Sequence, residues 1–228
     1  MSGGTAADAQ RLRVDVGGGW AFPIDNVELD PTEVYQATIT DHEGNQRSQG
    51  ISIPQPVDLT SGRHLYLGVG LVWSISDNFA LGGRLRAHTS EMQSTVDCRF
   101  DATCESPSGT LRAATLEGRI ILTSPDWIEP YLLVGLGVVQ TSVDGVTLRD
   151  VGSEVIGGSQ VTPSDDEISF SDVSIVDAGG DVGLGAAFPL TEGLSADVEF
   201  RVAGSLPGGK ENAVTVLPLT LGVSYRFQ

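Results

Sequence analysis

Hydrophobic residues fall on every second position in eight separate stretches of the chain. The last stretch, "VLPLTLGVSYRFQ", alternates from Leu217 through Leu219 and Leu221 up to Phe227, its penultimate residue. Chain ends usually fray, whereas a strict period of two indicates a β-strand with two different faces. The stretches are residues 12–22, 65–75, 79–88, 111–122, 130–140, 173–188, 194–202 and 216–228. None shows helical periodicity over a helix-sized window, so the pattern predicts an all-β fold.

The connections between these stretches alternate between short and long. "SDN", "TSPDWIE" and "PLTEG" are turn sequences rich in Asp, Asn, Pro and Gly. The other connections are long, polar and irregular, and they cover about residues 23–64, 89–110, 141–172 and 203–213. Short turns at one end and long loops at the other are typical of an up-and-down antiparallel barrel. We therefore predict a single barrel domain over residues 11–228.

The face between the hydrophobic positions decides whether the apolar side points inward or outward. A soluble barrel is apolar inside, and an outer-membrane barrel is apolar outside. The second face is rich in small residues such as Gly68, Gly70 and Gly135, which weaken a strand but suit a narrow lumen. The charged residues in the middle or near the end of this face are Arg84, Arg86, Glu117, Arg119, Asp181, Asp197, Glu199, Arg201 and Arg226. In a lumen they can form a paired network, and an ordinary charged face in water is the alternative.

Aromatic residues lie near the two ends of the predicted strands. The predicted girdle comprises Trp73, Phe79, Trp127, Phe188, Tyr225 and Phe227 near the short turns, and Trp20, Phe22 and Tyr66 near the long loops. Two such bands are typical of the membrane interfaces of β-barrels. Together with the Gly-rich charged face, they favour an eight-stranded antiparallel up-and-down transmembrane β-barrel.

The stretch "PYLLVGLGVV", the short-turn and long-loop alternation and the closing "LTLGVSYRF" give residues 11–228 a family resemblance. The chain resembles the eight-stranded outer-membrane β-barrels typified by the transmembrane domain of OmpA and by OmpX. The resemblance implies the outer membrane of a Gram-negative-type bacterium, contact with outer-membrane lipids and lipopolysaccharide, and recognition by the barrel-assembly machinery during biogenesis. The assembly signal of that family would fall on Leu219, Leu221, Val223, Tyr225 and Phe227, here followed by Gln228.

Composition narrows the partners of the chain. The net charge is −17 and Lys210 is the single lysine, so no Lys/Arg cluster is present to neutralise phosphates. We therefore predict no nucleic-acid partner. No run of about 18 apolar residues exists, which excludes a transmembrane helix but not a membrane-spanning strand.

Two short segments bear on the cellular compartment. Cys98 and Cys104 lie close together in "DCRFDATCE", which favours a disulfide and an oxidising compartment over two free thiols. Residues 1–10 contain Ala7-Asp8-Ala9, similar to the small-residue end of a signal peptide without its earlier parts. A trimmed leader and a chance similarity both fit this segment.

Two motifs could carry chemistry. "RAHTSE" contains His88 and Ser90, similar to the His and Ser of barrel-type lipid A deacylases. Alternation places both on the lumen face, away from a lipid substrate, and no orienting acid is identifiable. The loop acids Asp25, Glu28, Asp30, Glu33, Asp41 and Glu43, and "PSDDEIS", could bind Ca²⁺ or bridge to lipopolysaccharide, with solvated loops as the alternative. His42 and His64 have no metal-ligand spacing with cysteine. We predict no enzyme activity, no cofactor and no metal site.

The predicted function is structural, adhesive or concerned with envelope assembly, through surface loops that bind a protein partner. A narrow pore gated by the Arg–Glu network is the alternative. A lipid A deacylase-type hydrolase and a soluble ligand-binding barrel are further alternatives.

Overall fold

The structure is a computed structural model that describes residues 11–23, 27–29, 32–54, 57–60, 64–90, 93–96, 98–105, 107–206 and 215–227. Its strands are β1 (Arg11–Pro23), β2 (Val27–Leu29), β3 (Thr32–Thr40), β4 (Gln46–Pro54), β5 (Val57–Thr60), β6 (His64–Ser76), β7 (Phe79–Ser90), β8 (Gln93–Val96), β9 (Thr103–Cys104), β10 (Gly109–Ile121), β11 (Glu129–Val143), β12 (Thr147–Arg149), β13 (Glu154–Ile156), β14 (Ser159–Pro163), β15 (Glu167–Ser169), β16 (Val173–Pro189), β17 (Leu194–Ser205) and β18 (Thr215–Arg226). In this part of the chain no helix is long and apolar enough to cross a membrane. The predicted leader end at 1–10 and most of the predicted loop at 203–213 lie outside the described residues.

The eight long strands form one closed antiparallel barrel in the order β1-β18-β17-β16-β11-β10-β7-β6. This confirms the predicted fold class, and each predicted stretch coincides with one of these strands. The closing contact joins the two ends of the chain, because β1 pairs with β18 from Arg13↔Arg226 to Pro23↔Val216. The strict alternation of the C-terminal stretch therefore belongs to a strand with a neighbour on each side, and the barrel has no free edge.

The register sets the tilt of the strands. A row of paired residues that leaves β11 at Gln140 passes through Arg112, Ala87, Leu67, Gly18, Leu221, Val198 and Ala186 and returns to β11 at Pro130. After one full turn around the eight strands, the row therefore meets β11 ten residues below its starting point. With ordinary strand spacings this corresponds to a tilt of about 40° and a descent of about 25 Å. That height equals the apolar band of an outer-membrane barrel.

The two faces of the wall have the polarity of a membrane barrel. Large apolar side chains point outward and stay exposed, among them Leu116 at 73%, Leu136 at 62% and Leu221 at 55%. The charged side chains of the same strands point inward and are buried, with Arg201 at 0% and Glu117 at 1%. A barrel in water would have the opposite arrangement, so the soluble ligand-binding alternative does not fit this chain.

Glycines on the inner face make room for large lumen side chains. A Cβ atom on Gly185 would lie 2.5 Å from the Tyr131 ring, and one on Gly135 would lie 2.6 Å from a carboxylate oxygen of Asp181. Real Cβ atoms do not approach other heavy atoms so closely. The small residues are therefore required by the neighbours that fill the lumen.

The aromatic residues of the predicted girdle lie on the outer wall or in a turn, with one exception. Trp20, Phe22, Trp73, Phe79, Trp127, Tyr225 and Phe227 are exposed, and Phe188 is half-buried. Tyr66 is 0% exposed, so its assignment to the girdle was wrong. It lies between Leu65 and Leu67, which face outward, and alternation therefore turns its ring into the lumen.

The predicted long loops are not irregular. The described parts of the connections at about 23–64, 89–110 and 141–172 contain ten short strands arranged in three sheets above the barrel, which we call the crown. Each sheet joins strands from different connections. In the sheet β13-β14-β3-β4, β14 pairs with β3; in β2-β5-β8, β5 pairs with β8; in β15-β12-β9, β12 pairs with β9. These cross-connections hold the three loops together as one unit.

Candidate functional site

Among the residues whose side chains the structure describes, ten charged ones, with an equal number of each sign, are buried inside the barrel, and we call them the lumen lattice. Five are arginines and five are carboxylates, and each is at most 7% exposed. They come from five strands: Arg13 and Asp15 from β1, Arg84 and Arg86 from β7, Glu117 and Arg119 from β10, Asp181 from β16, and Asp197, Glu199 and Arg201 from β17. The formal charges of the lattice therefore cancel.

Arg201 lies at the centre of the lattice and is fully buried. Its guanidinium donates to Asp181 at 2.9 Å, to Glu199 at 2.7 Å and also to Glu117. A buried ion pair is favourable only when each group has enough partners to replace its lost hydration. Arg201 meets this condition, because carboxylates from three different strands surround it.

The other arginines extend the lattice across the lumen. Arg84 donates to Glu199 at 2.7 Å and to Asp15 at 3.1 Å. Arg119 also binds Asp15, which in turn accepts from Arg13 at 2.8 Å. On the opposite side Arg86 donates to Asp181 and, at 2.7 Å, to the hydroxyl of Thr115. The result is a continuous chain of charge pairs from wall to wall.

Two members of the lattice, Arg13 and Asp15, are absent from the predicted network. Their signal was present in the sequence, because they alternate with Leu12, Val14 and Val16 in the first hydrophobic stretch. Conversely, the predicted member Arg226 lies outside the ten buried groups and is connected to them through Glu129, which also pairs with Arg13 at 3.2 Å. Arg226 is partly exposed and pairs with Glu129 at 3.1 Å near the short-turn end of the barrel.

The space left inside the lattice is small. The cavity between Asp15, Arg84, Asp197 and Glu199 has a volume of about 10 Å³. Such a space holds about one water molecule. The lattice therefore blocks the lumen at this level rather than lining a water-filled channel.

A second barrier lies between the lattice and the crown, and we call it the apolar plug. Its buried members from the barrel wall are Ala21, Leu111, Val139, Val143, Ala203 and Val216, and its buried members from the crown are Ala37, Ile39, Phe100, Val146, Leu148, Val161, Ile168 and Phe170. Crown side chains thus pack against the inner face of the wall. The loop-side mouth of the barrel is closed by hydrophobic contacts as well as by charge pairs.

Polar contacts outside the membrane-spanning wall hold the crown in place. The hydroxyl of Tyr35 donates to the backbone oxygen of Ser169, and the hydroxyl of Ser171 donates to Glu33 at 2.6 Å. Arg99 and Glu154 form an ion pair at 2.9 Å. Each contact joins two different loops, so the crown has a defined conformation of its own.

The predicted loop acids have local structural contacts where they are described. Asp41 accepts backbone hydrogen bonds from Glu43 and Asn45, both at 2.9 Å, and closes the β3–β4 hairpin. Hydrogen bonds from Asn45 lower the pKa of the Asp41 carboxyl. The side chains of Asp25, Glu28 and Asp30 lie outside what the structure describes. Among the described residues, no group of three His, Cys, Asp or Glu side chains is placed to hold a metal ion.

The lipid A deacylase alternative depends on His88 and Ser90, so the positions of the histidines are relevant to it. His88 and Ser90 lie in β7, opposite Leu111 and Gly109 in the register, and their side chains lie outside what the structure describes, as does that of His64. His42 is exposed in the β3–β4 hairpin beside Glu43.

Cys98 and Cys104 form a disulfide within the crown, with their Cα atoms 6.1 Å apart. Between them lies Phe100, a fully buried member of the apolar plug. The bridge therefore encloses the short segment that carries Phe100 into the plug.

The double variant Cys98→Ser/Cys104→Ser is expected to loosen the crown without unfolding the barrel. A disulfide that encloses so short a loop removes little chain entropy, and no barrel strand is crossed by it. Limited proteolysis should cleave the variant near residues 98–105 faster than the wild type, while the heat-induced mobility shift of the folded barrel on gels stays unchanged. A lost mobility shift would contradict this assignment of the bridge to the crown.

The chain was compared with known protein families and with solved structures. Residues 2–227 match the family described as outer membrane protein beta-barrel domain. Among solved structures, Neisserial surface protein A (NspA) is similar with a TM-score of 0.51 and 14% identity, over 96% of this chain and 97% of that one. The attachment invasion locus protein Ail of Yersinia pestis gives 0.44 and 10%, over 94% and 98%. At these identities the likeness to NspA shows the fold alone. None of the curated protein sequences is a significant match to this chain.

Proposed function

This chain belongs to the outer membrane protein β-barrel family, and from that premise we propose that it is a closed, non-enzymatic anchor that displays the crown on the cell surface. It lies in the outer membrane of a Gram-negative bacterium, as the sequence predicted. In such barrels the short turns face the periplasm and the long loops face outward. The crown is therefore the part that meets other molecules, in adhesion or in assembly of the envelope with a protein partner.

The observation that carries this proposal is that two separate barriers, the lumen lattice and the apolar plug, close the lumen. The lumen lattice fills the inner part of the barrel, and the apolar plug seals its mouth. Conduction would require both barriers to open, and separating buried ion pairs leaves costly unpaired charges. The closed lumen supports a role for the outer surface rather than a pore.

The crown offers surfaces suited to recognition. Strand β4 is an edge of its sheet, with free backbone groups along one side that could pair with a strand of a partner. Val34 in β3 and Val155 in β13 are apolar side chains that are 70% and 72% exposed. Val34 lies beside the β4 edge, whereas Val155 lies on β13 at the opposite edge of the same sheet. Exposed apolar residues at sheet edges are typical of a protein-binding surface.

Planar-bilayer recording tests the closure. We expect no conductance from the wild type, and none from Glu117→Ala, because the apolar plug remains when one lattice carboxylate is removed. Step-like conductance in the wild type would overturn the proposal in favour of the pore. Conductance in Glu117→Ala alone would show that the lattice, and not the plug, closes the barrel.

Deletion of the β3–β4 hairpin tests the role of the crown. Thr32 and Pro54 are paired at its base, so a short Gly-Ser turn can replace residues 33–53 without stretching the chain. Cells that display this variant should adhere less than wild-type cells to one another and to matrix-coated surfaces, at equal surface expression. The matched control replaces Asp41–Asn45 with a Gly-rich turn and keeps the hairpin. Unchanged adhesion of the deletion variant would contradict an adhesive role for β4.

A further inference from the structure

A groove of about 630 Å³ runs along the lipid-facing wall of the barrel. Outward-facing residues from β1, β6, β7, β10 and β11 line it, together with the intervening Gly17, Gly68, Arg86 and Ala113, which have the inward parity. Its floor is formed by the small side chains of Ala87 and Ala114. Leu67 is paired with Ala87, and Leu85 and Val138 are paired with Ala114, so larger side chains border the floor. The groove is a local depression in an otherwise bulky apolar wall.

Arg112 stands at the upper end of this groove and is exposed. Along the descending row it lies one strand from Gln140, which places it about 22 Å above Pro130 and close to the outer edge of the apolar band. Among the described outward-facing residues of the barrel wall, Arg112 is the one that carries a charge. No carboxylate in the described part of the chain forms an ion pair with it.

A cation at the outer edge of the lipid-facing wall is well placed to bind an anionic lipid head group. Near the outer edge of the band, an arginine can extend its guanidinium to the head-group level at little cost. There it meets the phosphates of the outer leaflet, which it can bind through two parallel hydrogen bonds.

A neutral polar patch lies beside Arg112. Gln140, paired with Arg112 in the register, donates to the hydroxyl of Ser174 at 2.9 Å, and Ser142 and Ser174 share a hydrogen bond of 3.0 Å. The carbonyl oxygen of the Gln140 side chain and the serine hydroxyls face the same side of the wall. They suit the hydroxyl groups of a sugar better than a second charge.

We propose that the groove binds one lipopolysaccharide molecule through its lipid A moiety. A lipid A phosphate lies on Arg112, its sugar hydroxyls lie on the Gln140–Ser142–Ser174 patch, and one acyl chain lies over Ala87 and Ala114. Arg112 and the polar patch lie together near the outer edge, with the patch level with or above Arg112, and the apolar groove lies below them. This arrangement matches a lipid whose phosphates and sugars share the head-group level and whose acyl chains extend below it. A glycerophospholipid supplies the phosphate and the chain but not the sugar. The site lies on the wall and does not depend on what the crown recognises.

Native mass spectrometry of the refolded barrel tests the site. Wild-type protein is released from detergent micelles after incubation with bisphosphorylated lipid A, with dephosphorylated lipid A or with phosphatidylglycerol. We expect one bound molecule of bisphosphorylated lipid A and about tenfold weaker retention of the other two lipids, because each lacks one of the matched groups.

Two variants separate the head-group and chain contributions. Arg112→Gln should reduce retention of bisphosphorylated lipid A about tenfold and leave dephosphorylated lipid A unchanged. Ala114→Leu fills the floor of the groove and should reduce retention of both forms. Val182→Leu on the outer wall of β16 and Arg47→Gln in the crown are the matched controls, and both should bind as the wild type does.

Three results would overturn the proposal. Equal retention by Arg112→Gln and wild type would remove the phosphate contact. Equal retention of phosphatidylglycerol and lipid A would leave a general anionic-lipid surface. Equal loss in Ala114→Leu and Val182→Leu would mean that lipid covers the whole wall without a preferred groove. The heat-induced mobility shift of each variant confirms that it is folded, since none of these residues belongs to the lumen lattice.

Discussion

Arg201→Met is expected to destabilise the barrel by about 3–5 kcal/mol, the usual cost of removing one partner from a buried charge network. Methionine fills much of the same volume but removes the guanidinium that Glu117, Asp181 and Glu199 share, and the remaining lattice then has one more carboxylate than arginine. These carboxylates are at most 5% exposed, so water cannot replace the lost guanidinium. Denaturant unfolding in detergent micelles, followed by tryptophan fluorescence, measures the change.

Arg226→Met is the matched control for this experiment. Arg226 pairs with Glu129 at the rim, where both side chains are about 30% exposed, and such pairs contribute about 0–1 kcal/mol. The double variant Arg201→Met/Glu117→Gln removes one charge of each sign and should regain part of the stability of the single variant. If Arg201→Met unfolds at the same denaturant concentration as Arg226→Met, the lattice does not stabilise the barrel.

Leu221→Arg is expected to cost about 2–4 kcal/mol, because it places a charge against acyl chains near the middle of the wall. Leu221 is 55% exposed on the outer face and lies midway down the descending row. Leu219→Arg and Val223→Arg should be destabilising as well, since both residues face outward on the same strand. Tyr225→Arg lies near the short-turn interface and should cost only about 0–1 kcal/mol.

Folding yield into lipid vesicles, read from the heat-induced mobility shift, compares the four variants. The expected order is a depth profile, with the strongest impairment at Leu221 and the weakest at Tyr225. The same positions make up the predicted assembly signal, so refolding without assembly factors isolates the lipid effect. Equal folding yields for Leu219→Arg, Leu221→Arg and Val223→Arg, all matching wild type, would overturn the outward orientation of this face.

Most of the barrel could be predicted because each strand carries its own two-face pattern. The alternation of Leu217 to Phe227 depends only on neighbours along the chain, and the Gly-rich charged face shows which side is enclosed. Arg13 and Asp15 were also readable in this way, because they obey the same alternation as Arg84 and Arg86 on β7. Tyr66 shows the limit of an argument from position alone, since an aromatic residue near a strand end belongs to the girdle only if it also has the outward parity.

The crown could not be predicted from local patterns. Strands such as β9 and β12 are only two and three residues long, too short for a readable period. β12 pairs with β9 of another loop, so the pattern along one loop does not reveal this pairing. The position of Phe100 in the apolar plug likewise depends on contacts with residues far away in sequence.

The sequence by itself determined the number of barrel strands, their order along the chain and the face of each that meets lipid, because these follow from a period of two and from turn chemistry. Only the tertiary structure showed which charges pair and that both the lumen lattice and the apolar plug close the lumen. It also showed that Arg112 lies at the upper end of a groove, beside a polar patch. These features depend on the register and the ten-residue descent around the barrel, which bring residues from distant strands to the same height. A pattern read along one strand contains no information about that height.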